Sequence, residues 1–214
     1  MSLYTIKPRF QNRLRALARR LAGRSVSADA LTAWGLLFAA LAGVVLALGG
    51  RTGWLLLAPP LLFARIACNA LDGMVARLAG TARPWGTVLN ETTDRVADLL
   101  CFGGLVASGA LPPVVAVALL PLVLFVSYLG VIGQAAGGAR RYEGPLGKAD
   151  RMLLLALYCL LAPLSAHAGS LIGWALIAGL SVTAVNRLRA IARDCRTADS
   201  AQRVAPRDPA TQRG

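Results

Sequence analysis

Six apolar runs, most of them about 20 residues long, take up nearly all of this 214-residue chain. In lipid, backbone polar groups must be satisfied internally, so runs of this length fold as helices or not at all. The runs cover residues 28–48, 54–78, 85–107, 113–134, 150–164 and 170–192. Ser27 is placed to cap the first. Pro59 and Pro60 are expected to kink the second, and Pro163 breaks the fifth. The chain is 56% hydrophobic and only 15% charged, which is less charge than a soluble domain of this length carries. The reading is an all-α membrane protein: one domain over 27–196, a basic amphipathic segment over 1–26, and a polar tail over 197–214 that is expected to be disordered.

Basic residues outnumber acidic ones by 23 to 10, and all but two of them are arginines. A net charge of +13 suits an anionic partner, and the apolar runs make that partner the lipid surface rather than nucleic acid. Over residues 5–22, Phe10, Leu14, Leu17 and Leu21 follow helical spacing among Arg9, Arg13, Arg15, Arg19 and Arg20. Such a helix is suited to lie in the membrane interface. The connections near 49–53, 108–112 and 165–169 hold a single basic residue, Arg51, whereas the other connections and both ends are rich in arginine. The positive-inside rule therefore places both termini in the cytoplasm, in an inner membrane. No cleavable signal peptide is visible, and Cys68, Cys101, Cys159 and Cys195 are too scattered for a metal spacing.

Against this apolar background, four of the ten acidic residues fall between 72 and 98. Arg65, Asn69, Asp72 and Ala76 share one helical face of the second run, and Asn90, Asp94 and Asp98 share one face of the third, with Glu91 beside them. Ionisable groups at membrane depth are costly and usually mark a site. Gly73, Ala76 and Gly86 are small enough to let two helices approach and admit a ligand. Two readings are open on these residues alone. One is a site for a ligand or a hard divalent cation held by oxygen atoms. The other is an interhelical ion-pair network in which Arg65 and Arg95 neutralise the carboxylates.

The same residues resemble the signature of the CDP-alcohol phosphatidyltransferase family, Asp-x2-Asp-Gly-x2-Ala-Arg-x8-Gly-x3-Asp-x3-Asp. Asp72, Gly73, Ala76, Arg77, Gly86 and Asp94 match it at the right spacing, and Asn69 and Asn90 stand at its first and third aspartates. The resemblance implies six transmembrane helices, an N-terminal interfacial helix and a polar cavity facing the cytoplasm. It implies transfer of a phosphatidyl, or other phosphate-linked alcohol, group from a CDP-linked donor to a hydroxyl acceptor, with release of CMP, in phospholipid biosynthesis. Its cofactor would be Mg²⁺ or Mn²⁺, held by Asn69, Asp72, Asn90 and Asp94, with Glu91 and Asp98 as possible compensating ligands. Asp94 would take the proton of the attacking hydroxyl. Thr32, Asp72, Gly73, Ala76, Arg77 and Gly86 would form the CDP pocket. A homodimer is also compatible with the resemblance.

Each Asn keeps the shape of Asp and removes one negative charge, so one strong ion position built on Asp72 and Asp94 is expected in place of two. The loop over 138–151 carries Arg140, Arg141, Lys148 and Arg151, which with Arg65 are candidates to hold an acceptor phosphate. Retention of the loop in the cytoplasm explains its charge equally well. Two other functions remain open: a homologue that binds CDP-lipid or scaffolds a partner without turnover, and, more remotely, a small cation or solute transporter.

Overall fold

The computed structural model describes residues 7–50 and 52–204, and among these every regular element is helical. The helices are α1 (Lys7–Gly23), α2 (Ala28–Leu48), α3 (Ala58–Leu78), α4 (Pro84–Ala107), α5 (Pro113–Ala135), α6 (Lys148–Leu161) and α7 (Ala168–Val204). Four segments are long and apolar enough to cross a membrane: Ala28–Leu48, Gly53–Leu78, Pro113–Ala135 and Ala168–Ala198. Ser27 caps α2 as expected, its hydroxyl accepting from the Ala30 N–H at 3.1 Å.

Three local expectations are corrected. Pro59 and Pro60 do not kink a helix; they sit in the first turn of α3, after a 3-10 turn over Gly53–Leu57. Proline suits that place because first-turn N–H groups have no partner within the helix. The fifth run is helical only over 14 residues, about 21 Å, which is shorter than a hydrocarbon core of about 30 Å. The last helix runs on to Val204, so the tail expected to be disordered from Thr197 is helical to that point, and residues 205–214 lie outside the described residues.

Helix α2 packs closely on both α3 and α4, α5 packs on α7, and α6 touches α3 and α7. Small residues set the closest approach. A Cβ on Gly104 of α4 would run into the backbone of Gly43 on α2, and one on Gly43 would strike the Leu100 carbonyl. Lipid tails are as apolar as the side chains, so such backbone contact, rather than a hydrophobic drive, holds two helices together. Helix α1 docks on the same unit: Ala18 is buried with Leu31, Leu71, Met74 and Val75, and Leu14 and Leu21 pack against them. Leu17, from the same expected apolar stripe, stays exposed, and the side chain of Phe10 lies outside the described residues. The four cysteines are free, with Cys101 and Cys159 buried in the apolar core.

Candidate active site

The facing ends of α3 and α4 bring Asn69, Asp72, Asn90 and Asp94 into one hydrogen-bonded chain. Asn69 Nδ2 donates to Asp94 Oδ1 at 2.9 Å and to Asn90 Oδ1 at 3.4 Å. Asn90 Nδ2 donates to Asp72 Oδ2 at 2.8 Å, and the hydroxyl of Thr32, from α2, donates to the same oxygen at 3.0 Å. Asp72 Oδ1 accepts from the Gly73 N–H at 2.5 Å. The Lys148 ammonium, at the start of α6, lies directly against Asp94 Oδ1. Thr32, Arg65, Asn69, Asp72, Thr93 and Asp94 help line a cavity here of about 10 Å³, which is room for roughly one water.

A second, deeper layer lies one helical turn along α4. Asp98 is fully buried and receives Arg65 from α3 at 3.2 Å and Arg151 from α6 at 3.0 Å, on opposite oxygens. Arg151 also donates to Ser127 Oγ at 3.0 Å and to the Val123 carbonyl at 3.1 Å. Both arginines are at most 3% exposed. Both are candidates to hold an acceptor phosphate; burial and these bonds engage both with Asp98, which for Arg65 is the interhelical ion pair that was its other reading. Asp98, a possible compensating ligand, has each oxygen taken by an arginine. For Glu91, the other, Arg140 lies against one oxygen and Arg95 is 3.9 Å from the second.

At the surface, Arg77 is exposed beside Gly73: a Cβ on Gly73 would meet only its guanidinium, at 3.5 Å. A Cβ on Gly86 would meet only the Arg83 side chain, at 3.6 Å. Gly73 and Gly86 are therefore bordered by exposed arginine side chains rather than by packed core. Arg140 and Arg141 point to two sides of the loop between α5 and α6. Arg140 reaches Glu91 and stacks at 5.5 Å over Tyr142, whereas Arg141 reaches Glu143, at 3.2 Å, and Asp194 of α7. Partial burial pushes the Glu143 carboxyl up, but hydrogen bonds from backbone N–H groups and from Arg141 outweigh it and hold the group below the usual range. A crevice of about 430 Å³ opens beside Arg141, lined by Glu143, Asn186, Arg189, Arg193 and Asp194.

The profile of CDP-alcohol phosphatidyltransferases matches residues 25–186, a stretch that contains Thr32, Asn69, Asp72, Asn90, Asp94 and Lys148. The chain belongs to that family. Inner membrane protein YnbA of Escherichia coli is 33% identical over 89% of this chain and 96% of its own length. The archaetidylinositol phosphate synthase of Aeropyrum pernix is 29% identical over 73% of this chain and 82% of its own. The fold is shared with the phosphatidylinositol phosphate synthase of Mycobacterium tuberculosis. Its structure with CDP-DAG bound superposes with a TM-score of 0.70 at 22% identity, over 83% of this chain and 92% of that one. Its complex with manganese and citrate gives 0.69, over 82% and 87%. This CDP-alcohol phosphatidyltransferase is thus an integral membrane transferase of phospholipid biosynthesis.

Whether its residues suit a metal ion can be read from the donor set. Among the described residues no three His, Cys, Asp or Glu converge on one point. Two carboxylates and two carboxamides do converge, with the amide nitrogens facing the carboxylates; carboxylate and amide oxygens alike are hard donors that suit Mg²⁺ or Mn²⁺. The set fits one such ion, provided the amides turn their oxygens inward.

Two functional-looking residues escaped the sequence reading. Arg187 on α7 is buried, donating to the Val126 carbonyl at 2.6 Å and to the Glu143 carbonyl at 3.3 Å. Thr183, one turn earlier and fully buried, accepts from the Leu146 N–H at 3.0 Å. Together they tie the loop that presents Arg140 and Arg141 to α7. Their four-residue spacing inside an apolar run was the available signal.

Proposed function

We propose that this CDP-alcohol phosphatidyltransferase moves the phosphatidyl group of a CDP-linked lipid onto a phosphorylated hydroxyl acceptor at the cytoplasmic face of an inner membrane. The observation that carries the reading is the Asn69–Asp94 and Asn90–Asp72 chain beside Thr32. It gathers at one point the residues that the family signature would use on a diphosphate. The acceptor hydroxyl gives its proton to Asp94 as its oxygen attacks the phosphorus that carries the lipid. The bond from that phosphorus to CMP breaks, and CMP leaves with the electron pair. Arg77 holds the diphosphate, and the open surface over Gly73, Ala76 and Gly86 admits the cytidine. One divalent ion, held by Asp72, Asp94, Asn69 and Asn90, would supply positive charge to the diphosphate. Positioning and charge neutralisation are what phosphoryl transfer asks of a protein.

Names and geometry together support the acceptor class. The synthases to which the chain is similar are named for inositol phosphate products. The crevice beside Arg141 is large enough for a phosphorylated polyol, and because Glu143 and Asp194 pair with Arg141, Arg189 and Arg193 are the cations it offers a phosphate. All six helices α2–α7 are embedded in the membrane, α6 incompletely, with α1 in the interface and both termini cytoplasmic. Arginine placement supports this orientation. The test is CMP release from CDP-diacylglycerol by the purified protein with Mg²⁺ or Mn²⁺. Release that depends on a phosphorylated polyol and is lost in Asp94→Asn is expected. CDP-lipid binding without release under any acceptor would replace the enzyme reading with that of a binding protein.

A further inference from the structure

Side chains of α6 reach α4 as a ladder with two rungs. Lys148 lies against Asp94, and Arg151, three residues on, binds Asp98, four residues on from Asp94. One helical turn on each side separates the rungs, so both pairs share one line of contact. The lower rung is sealed: Asp98 is fully buried and Arg151 is 3% exposed. The upper rung is fixed from below by that anchor. It is fixed from above by the start of α6, where the Gly147 N–H donates to Asp150 Oδ2 at 3.0 Å. Lys148 is only 25% exposed and is thus delivered to Asp94 by built structure, unlike a surface lysine that happens to lie near.

Charge counting gives that delivery a meaning. The signature that this chain otherwise matches has four carboxylates, a charge of −4. Asn69 and Asn90 reduce it here to −2, and Lys148 brings Asp72, Asp94 and itself to −1, before Arg95, 4.0 Å from the other oxygen of Asp94, is counted. One divalent ion would raise the total to +1 and a second to +3, in a cavity of about 10 Å³. Uncompensated positive charge of that size in a tight site is strongly unfavourable.

Resting on the assignment of an ion to this site, we propose that the centre takes a single divalent cation and that the Lys148 ammonium serves Asp94 as a built-in second positive charge. Lys148 thereby does part of the work that a second ion would do, and the two asparagines are the matching change on the other side. Lys148 is then a positioning residue toward Asp94, and the acceptor phosphate is left to the arginines of the crevice.

The test counts ions without reading turnover. Purified protein in detergent is titrated with Mn²⁺, and the free ion is followed by its electron paramagnetic resonance signal. The native chain is expected to bind one Mn²⁺. Lys148→Met should bind that ion about tenfold tighter or more, because a neighbouring positive charge is gone. Lys148→Arg should stay near the native affinity. Asn69→Asp/Asn90→Asp/Lys148→Met should bind two ions. Two ions in the native chain, none at all, or an unchanged affinity in Lys148→Met would each overturn the proposal. Because CMP release is not the readout, an inactive protein that binds one ion keeps this inference and loses the enzyme reading. An active protein that binds two does the reverse.

Discussion

Arg151 Nη2 donates to Asp98 Oδ2 at 3.0 Å, and neither side chain is more than 3% exposed. The pair is a buried weld between α4 and α6, with Arg65 bringing in α3. Removing one partner leaves the other charged and unpaired away from water. Asp98→Asn is expected to destabilise the protein by about 3–5 kcal/mol. Thermal unfolding in detergent measures this, and a shift no larger than that of a surface substitution would show the weld to be dispensable.

Asp94 is the proposed proton acceptor, so Asp94→Asn should cut CMP release by about 10²–10⁴-fold. Asn69 Nδ2 could still find an oxygen there, so the fold should hold and CDP-diacylglycerol should still bind. Turnover and lipid binding measured on the same preparation separate chemistry from folding.

Asn90→Asp places a carboxylate against Asp72 Oδ2, where the native amide donates at 2.8 Å. Two facing carboxylates repel, so the variant should be less stable than the native chain without metal and should gain more from Mn²⁺. The melting temperature with and without the ion reads both effects. An equal Mn²⁺ response in both proteins would place the ion away from Asn90.

At the crossing of α2 and α4, Gly104→Ala drives a methyl into the Gly43 backbone, whereas a Cβ at Gly103 would meet nothing within 4 Å. The first change should cost about 1–3 kcal/mol and the second should be neutral or slightly stabilising. Melting of the two variants side by side makes the comparison internal.

Arg189→Ala removes one cation from the crevice beside Arg141. If the acceptor phosphate lands there, its KM should rise several-fold while the KM for CDP-diacylglycerol stays unchanged. A parallel rise in both would mean that the crevice serves the fold rather than one substrate.

The helices and the Asn69–Asp94 cluster were legible because apolar length and four-residue spacing are properties of a single segment. Pairings between segments were not. Arg65 could be read as a partner for the carboxylates, but nothing local says that its partner is Asp98, that Arg151 shares it, or that Arg140 takes Glu91. Spacing gives the face of a helix, and only packing says what that face meets. The same limit hid Arg187, which reads as one more cytoplasmic arginine until the carbonyls of Val126 and Glu143 turn toward it. Pro59 and Pro60 misled for a different reason. Proline marks a discontinuity but does not say on which side the helix lies, and here it lies after them.

The Gly43–Gly104 crossing fixes more than a contact. Thr32 rides on α2, and Asn90 and Asp94 ride on α4, so main chain resting on main chain sets the separation of the two banks of the site. Side chains can be exchanged at those banks without moving them. A scaffold gauged in this way can change its charge from −4 to −2 and still hold the remaining groups in register, leaving the chemistry free to diverge while the frame stands still.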